Sequence, residues 1–330
     1  MIILTKEDIK KCITMKEAIE INKEALKNYS NKNAIVPLRT NLNIDKYNGQ
    51  ALFMPASISG KNDSLGIKIV SVYPDNVKNN LPSVPAIMLV FDSKTGIISG
   101  LLDGTYLTQL RTAALQGAAT DLLAKKNSRI AALIGTGGQA YEQAHAMLTV
   151  RKLDELRVVG RNFEKTKKFV ELINNDFKQF NTKIIALENS NTAITDADII
   201  TTVTTSTTPT FNSDFVKLGT HINGIGSYTP EMIELPTKII TQADKIFFDT
   251  NNGVLNEAGD ILLALKEKMI NKSSFTGELG ELISKKVNGR ENNDEITLFK
   301  SVGSAVLDVA TSEAIIKKAA KIGIGNCIKI

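Results

Sequence analysis

IAALIGTGGQAYEQAHAMLTV at 130–150 reads as a strand, a glycine turn and a helix in direct succession. The apolar run from Ile130 to Ile134 has the length of a buried parallel strand, and the glycine turn after it opens directly into a helical pattern. In GTGGQA at 135–140, Gly135 suits a tight turn, Gly137 lets the backbone approach a pyrophosphate, and Ala140 permits close packing of helix on sheet. Thr136, Gly138 and Gln139 complete a loop whose N–H groups and helix dipole favour an anionic bridge. No Gly-Lys-Ser or Gly-Lys-Thr ending follows, which argues against a phosphate-transfer loop. A glycine turn without a ligand is the competing reading.

Downstream, ELRVVG, a polar helix, KIIAL and DIITTV continue the strand-helix alternation, and THINGI and KIFFDT extend it. Such alternation predicts an α/β chain with a Rossmann-type parallel sheet and right-handed crossovers. Helices are expected over 257–268 and 278–286. Gly160, Arg161 and Asn162 follow the second strand, where an acidic residue would pair with the ribose hydroxyls of NAD. A small residue and a guanidinium there suit a 2'-phosphate, so NADP is preferred and NAD is possible. Arg161 facing solvent or stacking on adenine remains the alternative. Thr202, Val203 and Thr204 open the threonine-rich segment 201–210, beyond a strand end where open parallel sheets place ligands.

Upstream, Thr5 and Asp8 have capping-box spacing and introduce one or two helices over 5–28. From Val36 to Val90, short apolar runs separated by Asn, Gly, Asp and Pro predict a second sheet, and DSKTG at 92–96 predicts a hairpin. The helical stretch YLTQLRTAALQGAATDLLA then carries the chain onward, and ITLFKSVGSAVLDVATSEAIIKKAAKIG brings it back as a strand and a long helix. The expected division is an α+β domain from 1–120 and 299–330, with a dinucleotide domain at 121–298.

The formal charge of +5 over 330 residues, spread along the chain, is too small to point to nucleic acid. Cys12 and Cys327 lie at opposite ends, giving neither a disulfide framework nor a metal motif, and no run approaches the length of a membrane helix. A cytoplasmic protein without a metal is expected.

The glycine loop, with IVPLRT at 35–40, LGIKIVSVYPDN at 65–76, FDSKTG at 91–96, LLDGTYLTQLRTAALQGAAT at 101–120, THINGIG at 220–226 and FKSVGSAVLDVA at 299–310, resembles the ornithine cyclodeaminase and mu-crystallin family. The motifs run in family order over almost the whole chain. The resemblance implies a Rossmann domain joined to a discontinuous substrate-binding and dimerisation domain, hence a homodimer. It implies that Arg39, Lys68 and Arg111 bind the substrate carboxylate or act at its reactive carbon, with Met54 and Gly303 in the substrate pocket. Thr112, Asn223, Lys300 and Ser301 would adjoin the cofactor. For Arg39 and Arg111 the physical case is bidentate carboxylate pairing, with a structural ion pair as the other reading.

His221 is kept out of the catalytic set because a neutral, backbone-bonded role explains it equally well. In GSYTPEMIEL at 226–235, Tyr228 stands where cyclodeaminating relatives place an aspartate. A phenol, with a reference pKa of about 10, is not a carboxylate base, although it can pack on a ring or donate a hydrogen bond. Glu231 and Glu234 lie nearby in sequence. The expected activity is NAD(P)-dependent reduction of a small 2-imino carboxylate, preferably a cyclic ketimine such as pyrroline-2-carboxylate or piperideine-2-carboxylate. Ornithine cyclodeaminase, alanine dehydrogenase and a non-catalytic crystallin-like binding protein are the alternatives.

Overall fold

Capping chemistry sets the first two helices. Thr5 and Thr14 accept from the N–H groups of Asp8 and Glu17, whose carboxylates reach back to the cap N–H groups, and so begin α1 (Lys6–Cys12) and α2 (Met15–Ser30). The structure, a computed structural model, describes residues 1–60, 62–79 and 81–329. The chain divides into two compact units, Met1–Arg111 with Ser304–Ile330, and Thr112–Gly303. Both crossings differ from the expected ones at 120/121 and 298/299. The first falls inside α3 (Gly104–Leu123), where an unbroken helical pattern carries no mark of a boundary.

In the first unit, strands β1 (Ile2–Leu4), β2 (Ala34–Ile35), β3 (Thr40–Ile44), β4 (Gly49–Ile58), β5 (Ser64–Val72), β6 (Ala86–Phe91) and β7 (Ile98–Asp103) form one sheet. The expected hairpin joins β6 and β7, and Asp92 Oδ1 secures it by accepting from the N–H groups of Lys94 and Thr95 and the Thr95 hydroxyl. Register decides which side chains share a face. Met54, Lys68 and Met88 lie directly opposite one another on β4, β5 and β6, all buried, and the C-terminal helix Ala305–Ile322 packs against these strands and α2. The opposite face carries Phe53, Pro55, Leu65, Ile67, Ile69, Leu89 and Phe91, all half-buried, and Ile87, which is 45% exposed.

The second unit holds β8 (Ile130–Ile134), β9 (Glu155–Val159), β10 (Lys183–Leu187), β11 (Ile199–Thr202), β12 (His221–Gly224), β13 (Lys245–Phe248), β14 (Gly277–Glu278) and β15 (Thr297–Lys300). They pair in the order β10-β9-β8-β11-β12-β15-β13-β14, every pair parallel. Near-continuous apolar runs such as IAALI and KIFF are the composition that a sheet covered on both faces requires. The order reverses at β8, and the crevice outside the carboxyl ends of β8 and β11 is where such sheets bind nucleotides.

The helix expected over 257–268 is instead two, Asn251–Glu257 and Gly259–Lys266, parted at Ala258. The break sets Gly259 against the Pro230 and Met232 carbonyls, where a Cβ would come within 2.6 and 2.2 Å. The helix expected over 278–286 is confined to Leu279–Ile283.

Candidate active site

Lys68 sits mid-strand in β5, walled by Met54 and Met88, and is 1% exposed. Its Nζ lies 2.8 Å from Asp308 Oδ2, and the other Asp308 oxygen accepts from Arg111 Nε at 2.8 Å. Asp308 comes from the C-terminal helix and Arg111 from α3, and both are buried. Arg39, half-buried before β3, is near enough for its charge to bear on Lys68.

The electrostatics follow from burial. Loss of water, reinforced by the Arg111 charge and more weakly by Arg39, brings the Lys68 pKa down to about 7 despite the opposing pull of Asp308. Burial works against the Asp308 carboxylate too, but Arg111 and Lys68 outweigh it and hold its pKa below the ordinary value. Lys68 and Arg111 share one carboxylate, and with the Arg39 charge nearby the cluster favours an anion. Arg111 Nη1 is buried and meets no hydrogen-bond acceptor among the described residues, so the guanidinium keeps a donor for such a ligand. A proton donor with a pKa near 7 beside an anion grip can transfer a proton near neutral pH. Asp308 carries no motif of its own in the sequence; an acid inside the apolar run SAVLDVA is the signal that marks it.

In the second unit, Gly135 has φ +122°, and a Cβ there would stand 2.5 Å from the Val203 carbonyl oxygen, so the turn after β8 requires glycine. A Cβ on Gly137 would meet nothing within 4 Å, and α4 (Ala140–Val150) begins without a side-chain cap at Gln139. An open backbone face at an uncapped helix start fits the pyrophosphate of a dinucleotide. Gly160 has a different basis from the one its sequence position suggested. A Cβ would fall 2.6 Å from the hydroxyls of both Thr136 and Thr166, so close packing on the glycine loop, rather than room for a phosphate, requires it. Arg161 is exposed, and Asn162 caps α5 (Phe163–Asp176) by accepting from the Lys165 N–H.

Other expected contacts turn inward. Asn223 is wholly buried: its amide donates to Thr120 and Thr201 and accepts from His221. His221 is neutral, its pKa pushed down to about 3 by burial and by Arg290. Lys300 is 0% exposed and paired with Asp260 at 3.1 Å, and the Ser301 hydroxyl donates to Asp249 at 2.7 Å. Both side chains are thus bonded to internal carboxylates. Gly303, at φ +80°, also donates its N–H to Asp249. Thr112 and Thr202 are buried, Val203 lies beside the glycine turn, and Thr204 bonds to Glu234. Tyr228 packs its half-buried ring against the apolar core, and Glu231 is exposed. Among the described residues no group of acids, histidines or cysteines could hold a metal, and no helix is long and apolar enough to cross a membrane.

A parallel sheet of this order with an open glycine turn defines a dinucleotide-binding α/β protein. Residues 1–322 match the ornithine cyclodeaminase/mu-crystallin family, and the chain belongs to it. It is 36% identical to the Delta(1)-pyrroline-2-carboxylate reductase of Bacillus cereus over 329 residues, covering 100% of both chains. It is similar in structure to the Thermococcus litoralis Delta(1)-pyrroline-2-carboxylate reductase in complex with NADH and L-proline, with TM-score 0.94 and 39% identity over 99% of this chain and 100% of that one. An archaeal alanine dehydrogenase dimer with bound NAD gives TM-score 0.91 at 33% identity, over 100% of this chain and 99% of that one.

Proposed function

We propose that the protein reduces a cyclic 2-imino carboxylate, Δ1-pyrroline-2-carboxylate, to proline at the expense of NADH or NADPH. The observation that carries this reading is the buried Arg111–Asp308–Lys68 cluster with its spare guanidinium donor and near-neutral ammonium. Arg39 and Arg111 hold the substrate carboxylate, and Met54 supplies an apolar wall to the ring. Lys68 gives its proton to the ring nitrogen as the C=N double bond becomes a single bond, and Asp308 keeps the ammonium aimed. The nicotinamide, when bound, supplies the hydride to the adjoining carbon. The loop from Gly135 through Thr136, Gly137, Gly138 and Gln139 to Ala140 cradles the pyrophosphate, with Thr112, Arg161, Asn162 and Thr202 to Thr204 completing that site. Tyr228 leaves the cyclodeaminase aspartate position without a carboxylate, which disfavours ornithine as substrate. Mixing protein, reduced cofactor and Δ1-pyrroline-2-carboxylate should deplete the reduced nicotinamide absorbance and yield proline by mass. Steady ammonia release from ornithine without net nicotinamide change would overturn the reading.

We propose further that NADPH is the preferred cofactor and that Arg161 grips its 2'-phosphate. Arg161→Ala is expected to lower kcat/KM with NADPH about tenfold and with NADH by less than about twofold. Equal losses would assign Arg161 no phosphate.

The apolar outer face of the first sheet supports a homodimer, because Ile67, Leu89, Ile87 and their neighbours form a patch of the kind that a second copy covers. Ile67→Arg should shift the protein from dimer to monomer in light scattering, and an unchanged mass would remove this face from the interface. The two free cysteines, one buried and one exposed, suit a reducing, cytoplasmic setting.

A further inference from the structure

Glu234 is fully buried in the second unit and belongs to no part of the mechanism above. Its Oε1 accepts from the Thr204 N–H at 2.5 Å and the Thr204 hydroxyl at 2.8 Å, and its Oε2 accepts from the N–H groups of Gly226 at 2.6 Å and Ser227 at 2.9 Å. One carboxylate therefore ties the segment after β11 to the segment after β12. Gly226 makes the seam tight, since a Cβ there would stand 2.1 Å from the Thr204 carbonyl oxygen. Behind it, Asp260 Oδ1 accepts from the N–H groups of Glu234 and Leu235, while Lys300 pairs with the other Asp260 oxygen. Burial pushes the Glu234 pKa up and the Lys300 charge opposes that, while three backbone N–H groups and the Thr204 hydroxyl converge on its two oxygens.

We propose that Glu234 is a positioning residue that sets the nicotinamide half of the dinucleotide site by locking the β11 and β12 ends together. The proposal rests on the nucleotide reading. In a sheet of this order the glycine loop and the β9 end serve the adenosine and pyrophosphate half, whereas β11 and β12 lie on the other side of the reversal. The carboxylate uses both oxygens as acceptors, and an amide has only one. Whichever way a glutamine turned, its NH2 would face N–H donors on one of the two segments.

The test is calorimetric binding of two probes, NADH and ADP-ribose, to the full chain as wild type and Glu234→Gln. Glu234→Gln should bind NADH about tenfold more weakly and ADP-ribose within about twofold of wild type. Gly226→Ala attacks the same seam from the backbone side, its Cβ falling 2.1 Å from the Thr204 carbonyl oxygen and 2.6 Å from Glu234 Oε1, and should show the same split. Equal weakening of both probes, or of neither, in either variant would overturn the positioning role, since general destabilisation does not distinguish the two ligands. Wild-type protein that bound neither NADH nor NADPH would overturn the nucleotide reading, and this proposal with it.

Discussion

Lys68→Met is expected to lower kcat by about 10²–10⁴-fold, the range a positioned general acid supplies, while NADH binding measured by fluorescence stays near wild type. Methionine keeps most of the buried volume, and Asp308 keeps Arg111 as its partner, so the fold should persist. The ionisation has a sign that can be checked. Lys68 must carry its proton to donate it, and its pKa lies at about 7, so kcat/KM in the reductive direction should be level at lower pH and fall as pH rises through that value. The descending limb should vanish in Lys68→Met. Turnover unchanged by the substitution would remove Lys68 from the chemistry.

Asp308→Asn carries the second large effect, this time on stability and activity together. The carboxylate is the one partner shared by Lys68 and Arg111, and removing its charge leaves the buried Arg111 guanidinium without its counter-ion and Lys68 without its support. Breaking a buried pair in this way costs about 3–5 kcal/mol, read as a lower midpoint in urea unfolding. Because Asp308 raises the Lys68 pKa against burial and Arg111, its loss should drive that pKa further down. The pH limb of any residual activity should then move to lower pH. A variant with wild-type stability and an unmoved limb would show that Asp308 does not govern the cluster.

The parallel sheet was legible because its signals are local: an apolar run of strand length, a glycine turn and a helix in direct succession. Arg39, Lys68 and Arg111 were legible as charges in apolar or small-residue surroundings, and the structure brings Arg39, Lys68 and Arg111 into one electrostatic cluster. What holds them was not, because Asp308 joins Lys68 and Arg111 across long sequence separations that no short motif spans. Asn223, Lys300 and Ser301 show the converse limit. Their place at strand ends suggests ligand contact, yet whether a polar side chain turns outward or meets a buried partner depends on residues such as Thr120, Asp260 and Asp249 from distant segments. Two-residue strands such as β2 and β14 carry too few side chains for alternation to register.

The most direct test of the central claim follows the hydrogen. NADH deuterated at C4 on the transferred face, mixed with Δ1-pyrroline-2-carboxylate and the wild-type protein, should give proline carrying deuterium at C2, one label for each NADH oxidised. Proline without the label, or NADH oxidised with no proline formed, would contradict the account.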